Sequence, residues 1–383
     1  MNNRKKILLF SNDPGGANTI IPLISPLKEK GFDVRLFGRN SALEKYAKAK
    51  LLALDVNEYI DDIKPDAVEE FLVRESPDFI ITGTSASDNT EKYLWQSAER
   101  LNTPSFAIMD QWLNYGIRFS RYTTSEIAKY KEDRMHPYLP SKILVMDDYA
   151  RQEAVNEGLE PSRIIVTGQP YFETLLNEKI NLSTERLNEL RLSIGKEEDI
   201  IITFASEPVS KDYESIGSDH YWGFTEKTVF KELIEAAKIV SHECKRRLIV
   251  VLKLHPREDI DGYKKLIAPL KGEKVNIVIE KGVASSCDLI LLSDLVIGMS
   301  SMFLIEAVIL HKPVLSVLIG LCRENPFVLE RKGILKSIID RGELVTRLRE
   351  VIVDNRQSKC EFDFIKNPVS NVILHMEKYL CQN

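Results

Sequence analysis

The sequence predicts an α/β protein of two Rossmann-like domains whose parallel sheets face each other across a cleft, and three observations carry that prediction. Short apolar runs alternate with amphipathic stretches of helical length along most of the chain, the pattern of strand–helix–strand units with a parallel sheet covered on both faces. The alternation breaks once, over a charged stretch with no β-branched run, and then restarts. A chain of 383 residues also exceeds what one hydrophobic core usually organises.

Taken in order, KILLF is the first strand and TIIPLISPLKEKG the helix after it. DVRLFG, PDFIITGT, PSFAIMD, SKILVMDD and RIIVTG follow as strands, with SALEKYAKAK and NTEKYLWQSAERLN as helices between them. The second set runs through DIIITFAS, RLIVVLKLHP, VNIVIEKG, DLVIGMSS and KPVLSVLIG, with KTVFKELIEAAKIVSHE as its first helix. The first domain is expected over residues 1–170, a linker over 171–198, the second domain over 199–365 and an amphipathic terminal helix over 366–383.

Composition narrows the partners. With 52 basic against 57 acidic residues the net charge is -5, which argues against a protein that neutralises a polyphosphate backbone, so nucleic acid is not an expected partner. Cys244, Cys287, Cys322, Cys360 and Cys381 are scattered without CxxC spacing, against a disulfide framework or zinc site and in keeping with a reducing cytoplasm. The N-terminal basic residues lead into only four apolar ones, which reads as a strand and not an export signal. No apolar run approaches the ~20 residues that span a bilayer. A cytoplasmic protein, at most peripheral at the inner membrane face, is expected.

Ligands of open α/β sheets bind beyond the carboxyl ends of the strands, so residues there are the candidates. In LKLHPRED, His255 and Pro256 follow a buried strand, with Lys253 inside it and Arg257 just after; such a histidine can donate to a phosphate oxygen, as cation or neutral ring, and the flanking cations favour an anion. The same residues also suit a turn before proline. In DLVIGMSSMFLIEA, Ser300 and Ser301 stand at a helix N-terminus whose free amides suit phosphate, although either serine alone serves as an N-cap. Glu306, further along that helix, could reach a ribose hydroxyl or stand in solvent. The segment after DIIITFAS, with Ser206, Glu207, Pro208, Ser210, Tyr221 and Trp222, is longer than a minimal connection and suits a functional loop, Ser206 and Glu207 lying nearest the nucleotide.

In the first half, Asp88 and Asp110 lie near strand ends where a carboxylate can act as general base. Asp88 is equally an N-cap, and Asp110 stands among Trp112, Tyr115 and Phe119, side chains that suit either a sugar ring or the core. Asp13, Gly15, Gly16 and Asn18 form the first strand-to-helix loop. Its bare backbone either lets a sugar approach closely or permits tight strand-to-helix packing, with Asn18 as N-cap in the second case.

The architecture, with IIVTGQP closing the first half, resembles the glycosyltransferase B superfamily. His255-Pro256 with Ser300-Ser301 is similar to the His-Pro and Ser-Ser/Thr pairs of bacterial capsule and surface-polysaccharide transferases: sialyl- and Kdo-type enzymes using CMP-sugars, and CDP-glycerol transferases. The resemblance implies that His255 stabilises a departing phosphate and that the serines hold it. MDQWLNYGIRF resembles stretches of polysaccharide-biosynthesis proteins. UDP-N-acetylglucosamine 2-epimerases share the double-domain plan, with glycines where this chain has Ser300-Ser301.

The expected function is thus a metal-independent glycosyltransferase with no cofactor, moving a sugar from a nucleotide sugar, CMP- or CDP-linked before UDP-linked, to a surface polysaccharide or lipid-linked glycan in a bacterium. A UDP-sugar 2-epimerase or hydrolase-like enzyme and a non-catalytic nucleotide-sugar-binding scaffold are the alternatives.

Overall fold

The structure, a computed structural model, describes residues 4–213, 221–270, 274–280, 284–356, 360 and 362–382. It divides into two compact units: Met1–Thr174 with Phe364–Asn383, and Leu175–Asp363. Residues 171–198 carry the helices Pro170–Asn181 and Thr184–Ile194.

The first unit holds β1 (Lys6–Ser11), β2 (Asp33–Gly38), β3 (Leu54–Asp55), β4 (Phe79–Thr82), β5 (Ser105–Ile108), β6 (Lys142–Val145) and β7 (Ile164–Val166). They form one sheet in the order β3-β2-β1-β4-β5-β6-β7. Every pairing is parallel; Ile7 pairs with Val34 on one side and with Phe79 on the other. The strand-like runs of the sequence are all present, and the two-residue β3 is an addition too short to show a pattern. Ile7, Leu9, Phe79, Ile81, Phe106 and Ile108 bury one face, against the helix Pro14–Glu29 through Ile20, Leu23 and Leu27. The last helix, Pro368–Gln382, completes that face with Val369, Val372, Ile373 and Met376. Burying such side chains contributes about 1.5–3 kcal/mol each, enough to tie the end of the chain to this unit.

The second unit holds β8 (Ile200–Ala205), β9 (Leu248–Lys253), β10 (Val275–Ile279), β11 (Leu295–Gly298) and β12 (Val314–Ser316), again all parallel, in the order β10-β9-β8-β11-β12. β8 is buried at every residue, as a central strand covered on both faces must be. Each sheet reverses its strand order once, between β1 and β4 and between β8 and β11. These switch points are where open sheets present ligand sites. Among the described residues no helix is long and apolar enough to cross a membrane.

Candidate functional site

Each unit gathers polar side chains at its switch point, and the two clusters are built differently. In the first unit, Arg118 is the organiser. Its side chain is buried and donates to Asp110 Oδ1 at 2.8 Å, to Thr84 O at 2.8 Å and Oγ1 at 2.7 Å, and to Asn114 O at 3.1 Å. The backbone of Asp110 is held as well, its carbonyl accepting from Gln169 Nε2 at 2.9 Å, which gives the TGQP stretch a role within this unit.

The paired glycines Gly15 and Gly16, expected in the first loop, lie in the first turn of the helix Pro14–Glu29 and answer to packing. A Cβ on Gly15 would stand 1.9 Å from Asp110 Oδ2, and one on Gly83 would stand 2.7 Å from the Gly16 Cα. The space left by the missing side chains is therefore taken by Asp110 and by β4's own continuation. Asn18 lies inside the helix Pro14–Glu29 and does not cap it; Asp13 is the N-cap residue by backbone position, but its carboxylate makes no capping bond. It bonds Ser85 and Asn12 instead. Burial, with a smaller push from the charge of Asp110, raises its pKa.

Asp88 acts structurally: Oδ1 accepts from Thr90 N at 2.8 Å at the start of the helix Thr90–Arg100, and Oδ2 pairs with Arg39 at 2.6 Å. The aromatics around Asp110 belong to the core. Trp112 stacks on Phe172 and donates to Asp147, while Phe119 lies against Trp95. Trp112, Tyr115 and Phe119 are all buried, so they offer no stacking platform. Sequence reasoning missed Arg118, eight residues after Asp110, and Glu91, which is far in the chain from the Asn12 amide it meets. Glu91, in the first turn of Thr90–Arg100, is 1% exposed and accepts from Asn12 N at 3.0 Å.

In the second unit, His255 sits in the loop after β9. Its Nδ1 accepts from Arg257 N at 3.2 Å, which assigns the ring proton to Nε2. Burial, assisted by the charges of Arg257 and Lys253, lowers its pKa to about 4. Of the two states expected, the neutral one holds at neutral pH, and the ring presents an Nε2–H donor. The loop is fastened from below: His255 N donates to Glu258 Oε2 at 2.8 Å, and Glu258 Oε1 accepts from Ser206 at 2.7 Å and Tyr263 at 2.8 Å. Ser206 is buried in this network and positions the loop. Lys253 lies over the Phe303 ring, 5.0 Å from its centroid, and Arg257 makes a bidentate pair with Asp212 at 2.7 Å, leaving exposed Pro256 between. Asp259 caps the helix Ile260–Ile267, accepting from Asp261 N and Gly262 N.

Ser301 caps the helix Met302–Ile309, accepting from Phe303 N at 3.0 Å. Ser300 gives both its donors to Glu207: N to Oε1 at 2.7 Å and Oγ to Oε2 at 3.0 Å. The amides expected to meet a phosphate thus meet a carboxylate of the same unit, and Glu207 is an acceptor at this turn. Desolvation raises its pKa to about 7, against the lowering effect of the bonds from Ser300, Ser301 and Met299. Glu306 is 7% exposed, which removes the solvated alternative. In the long connection after β8, Ser210 bonds Glu226 and Trp222 stacks on Tyr213 at 4.1 Å; residues 214–220 of that connection lie outside the described residues.

Two parallel-sheet α/β units with these topologies define a GT-B fold. No known sequence family matches the chain, and no curated protein matches it in sequence. Solved structures do match over their whole length. UDP-GlcNAc 2-epimerase from Methanocaldococcus jannaschii is 16% identical with a TM-score of 0.67, covering 98% of this chain and 99% of that one. UDP-GlcNAc 2-epimerase from Neisseria meningitidis, bound to UDP-GlcNAc, is 16% identical with a TM-score of 0.67, covering 99% and 100%. A glycosyltransferase from Rickettsia africae is 16% identical with a TM-score of 0.57, covering 100% of both. At such identities the likeness is one of fold. The expectation of a CMP- or CDP-sugar transferase acting on a surface glycan is corrected by these neighbours: structures of UDP-GlcNAc 2-epimerases recur among them, and they support the epimerase alternative better.

Proposed function

We propose that this protein is an enzyme that acts on a UDP-linked amino sugar without an acceptor, as a 2-epimerase or hydrolase of the sugar nucleotide. The observation that carries the proposal is His255, held as a neutral Nε2–H donor at a strand end of the second unit. A fixed neutral donor can hydrogen-bond a diphosphate oxygen and stabilise the charge that develops when the bond from sugar to phosphate weakens. The full-length likeness to enzymes that handle UDP-GlcNAc supports UDP as the carrier. Ser300 and Ser301 stand at the end of β11 in the same sheet, where a diphosphate would compete with Glu207 for the Ser300 donors.

Thermal shift with UDP, CDP and CMP tests the carrier, because a ligand bound only by the native state raises the melting temperature. UDP is expected to stabilise and CMP to leave the midpoint unchanged; the reverse order would overturn the reading. With UDP-GlcNAc alone, His255→Ala should lower turnover about 10²–10³-fold, on the scale of a lost oxyanion donor. Binding without turnover in the parent protein would make it a scaffold.

A further inference from the structure

Strand register sets three candidate residues of the second unit side by side. β8 lies between β9 and β11, with Ala205 opposite Lys253 on one flank and opposite Gly298 on the other. Two residues beyond that row come His255, Glu207 and Ser300, so Glu207 leaves the sheet between the other two. Its carboxylate reaches the β11 side, where Oε1 accepts from Ser300 N at 2.7 Å and Oε2 from Ser300 Oγ at 3.0 Å, with the backbones of Met299 and Ser301 adding to the donor set. Ser206, the residue before it, reaches the β9 side and donates to Glu258, which holds the backbone of His255. The fastening of the histidine loop and the carboxylate on the serine turn are thus separate contacts.

We propose that Glu207 is an autoinhibitory contact: its carboxylate fills the anion seat of the turn 299–301, and a diphosphate enters only by displacing it. The proposal rests on reading this sheet end as the diphosphate site. Amide and hydroxyl donors that converge on a carboxylate suit a phosphate oxygen equally well, and a phosphate brings more charge and a further oxygen than the occupant. The occupant is held at a cost, because desolvation outweighs the bonds from the turn and raises its pKa to about 7. Position makes the competition direct: a diphosphate that met both the Nε2–H of His255 and the Ser300 donors would span the place where Glu207 leaves the sheet. Because Ser206 and Glu258 take no part in the contact, the histidine loop stays fastened when the seat opens.

Calorimetric titration of the full chain with sodium sulfate at about pH 8, where a carboxyl titrating near 7 is mostly ionised, reads the competition without a nucleotide. Glu207→Gln keeps the shape of the side chain and removes its charge, and Glu207→Ala empties the seat; either one suffices if the other folds poorly. Sulfate should bind each variant several-fold more tightly than the parent, and the amide of Ser300, followed by NMR with nitrogen-labelled serine, should shift as it binds. Equal affinities, no sulfate binding by the variants, or a gain that leaves the Ser300 amide unmoved overturns the contact. UDP that stabilises the parent while the variants gain no sulfate affinity would remove the contact and leave the carrier reading standing. A sulfate gain at Ser300 without UDP binding to any form would do the reverse.

Discussion

At both switch points a glutamate crosses from one strand end to the next and accepts a backbone N–H there: Glu91 from Asn12 in the first unit, Glu207 onto Ser300 in the second. Both are desolvated and both have raised pKa values. They differ in how they are satisfied. Glu207 spends both oxygens on the donors of one turn, so its role is to hold that turn and to set the charge of the sheet end beside His255. Glu91 leaves one buried oxygen without a hydrogen-bond partner among the described residues. The same device thus satisfies both carboxylate oxygens at one switch point and a single oxygen at the other.

The comparison is broken most severely by removing the first unit's cation. Arg118→Ala leaves Asp110 and the Thr84 carbonyl buried without their donor, and urea unfolding should show a loss of about 3–5 kcal/mol. Next in size is Gly83→Ala, whose Cβ would press on the Gly16 backbone and should cost about 1–3 kcal/mol. Gly15→Ala meets only the tip of Asp110, which can turn aside while Oδ1 keeps Arg118, and should cost less, so equal losses would show that backbone packing does not govern this turn.

Glu207→Gln sharpens the contrast in the second unit. A carboxyl raised from 4.5 to about 7 in the folded state contributes stability at low pH that is lost as pH rises through that window. The variant should therefore gain stability over the parent between pH 4.5 and about 7, and a gain of the opposite sign would remove the desolvated carboxylate from the account. UDP should bind the variant several-fold more tightly at alkaline pH, where the parent places an ionised carboxylate next to the incoming diphosphate. The smallest effect belongs to Ser301→Ala, which removes an N-cap bond worth about 1 kcal/mol.

The second unit's candidate residues could be picked from the sequence because they lie next to strand ends in the chain: His255 after β9 and Ser300-Ser301 after β11. Their partners were not legible. Glu207 and Glu258 carry the pattern of loop acids, and only the fold places one on Ser300 and the other under His255. In the first unit Glu91 is remote in sequence from Asn12 and has the spacing of an ordinary first-turn helix acid, while Arg118, eight residues after Asp110, meets it only through the fold of the segment between them. The terminal helix could be recognised from its amphipathic pattern, but which core it completes depends on contacts across nearly the whole chain. The expectation of a CMP- or CDP-sugar rested on His-Pro and Ser-Ser pairs, which suit a phosphate, and phosphate is common to CMP-, CDP- and UDP-sugars.

Proton exchange at the sugar tests the central claim most directly. The protein is incubated in D₂O with UDP-GlcNAc and no acceptor, and the sugar is followed by proton NMR. Inverting C2 breaks its C–H bond, so the account predicts a C2-epimer, free or still UDP-linked, with deuterium at C2 and a rate that collapses in His255→Ala. Unchanged UDP-GlcNAc, turning over only when a glycan acceptor is added, would contradict it.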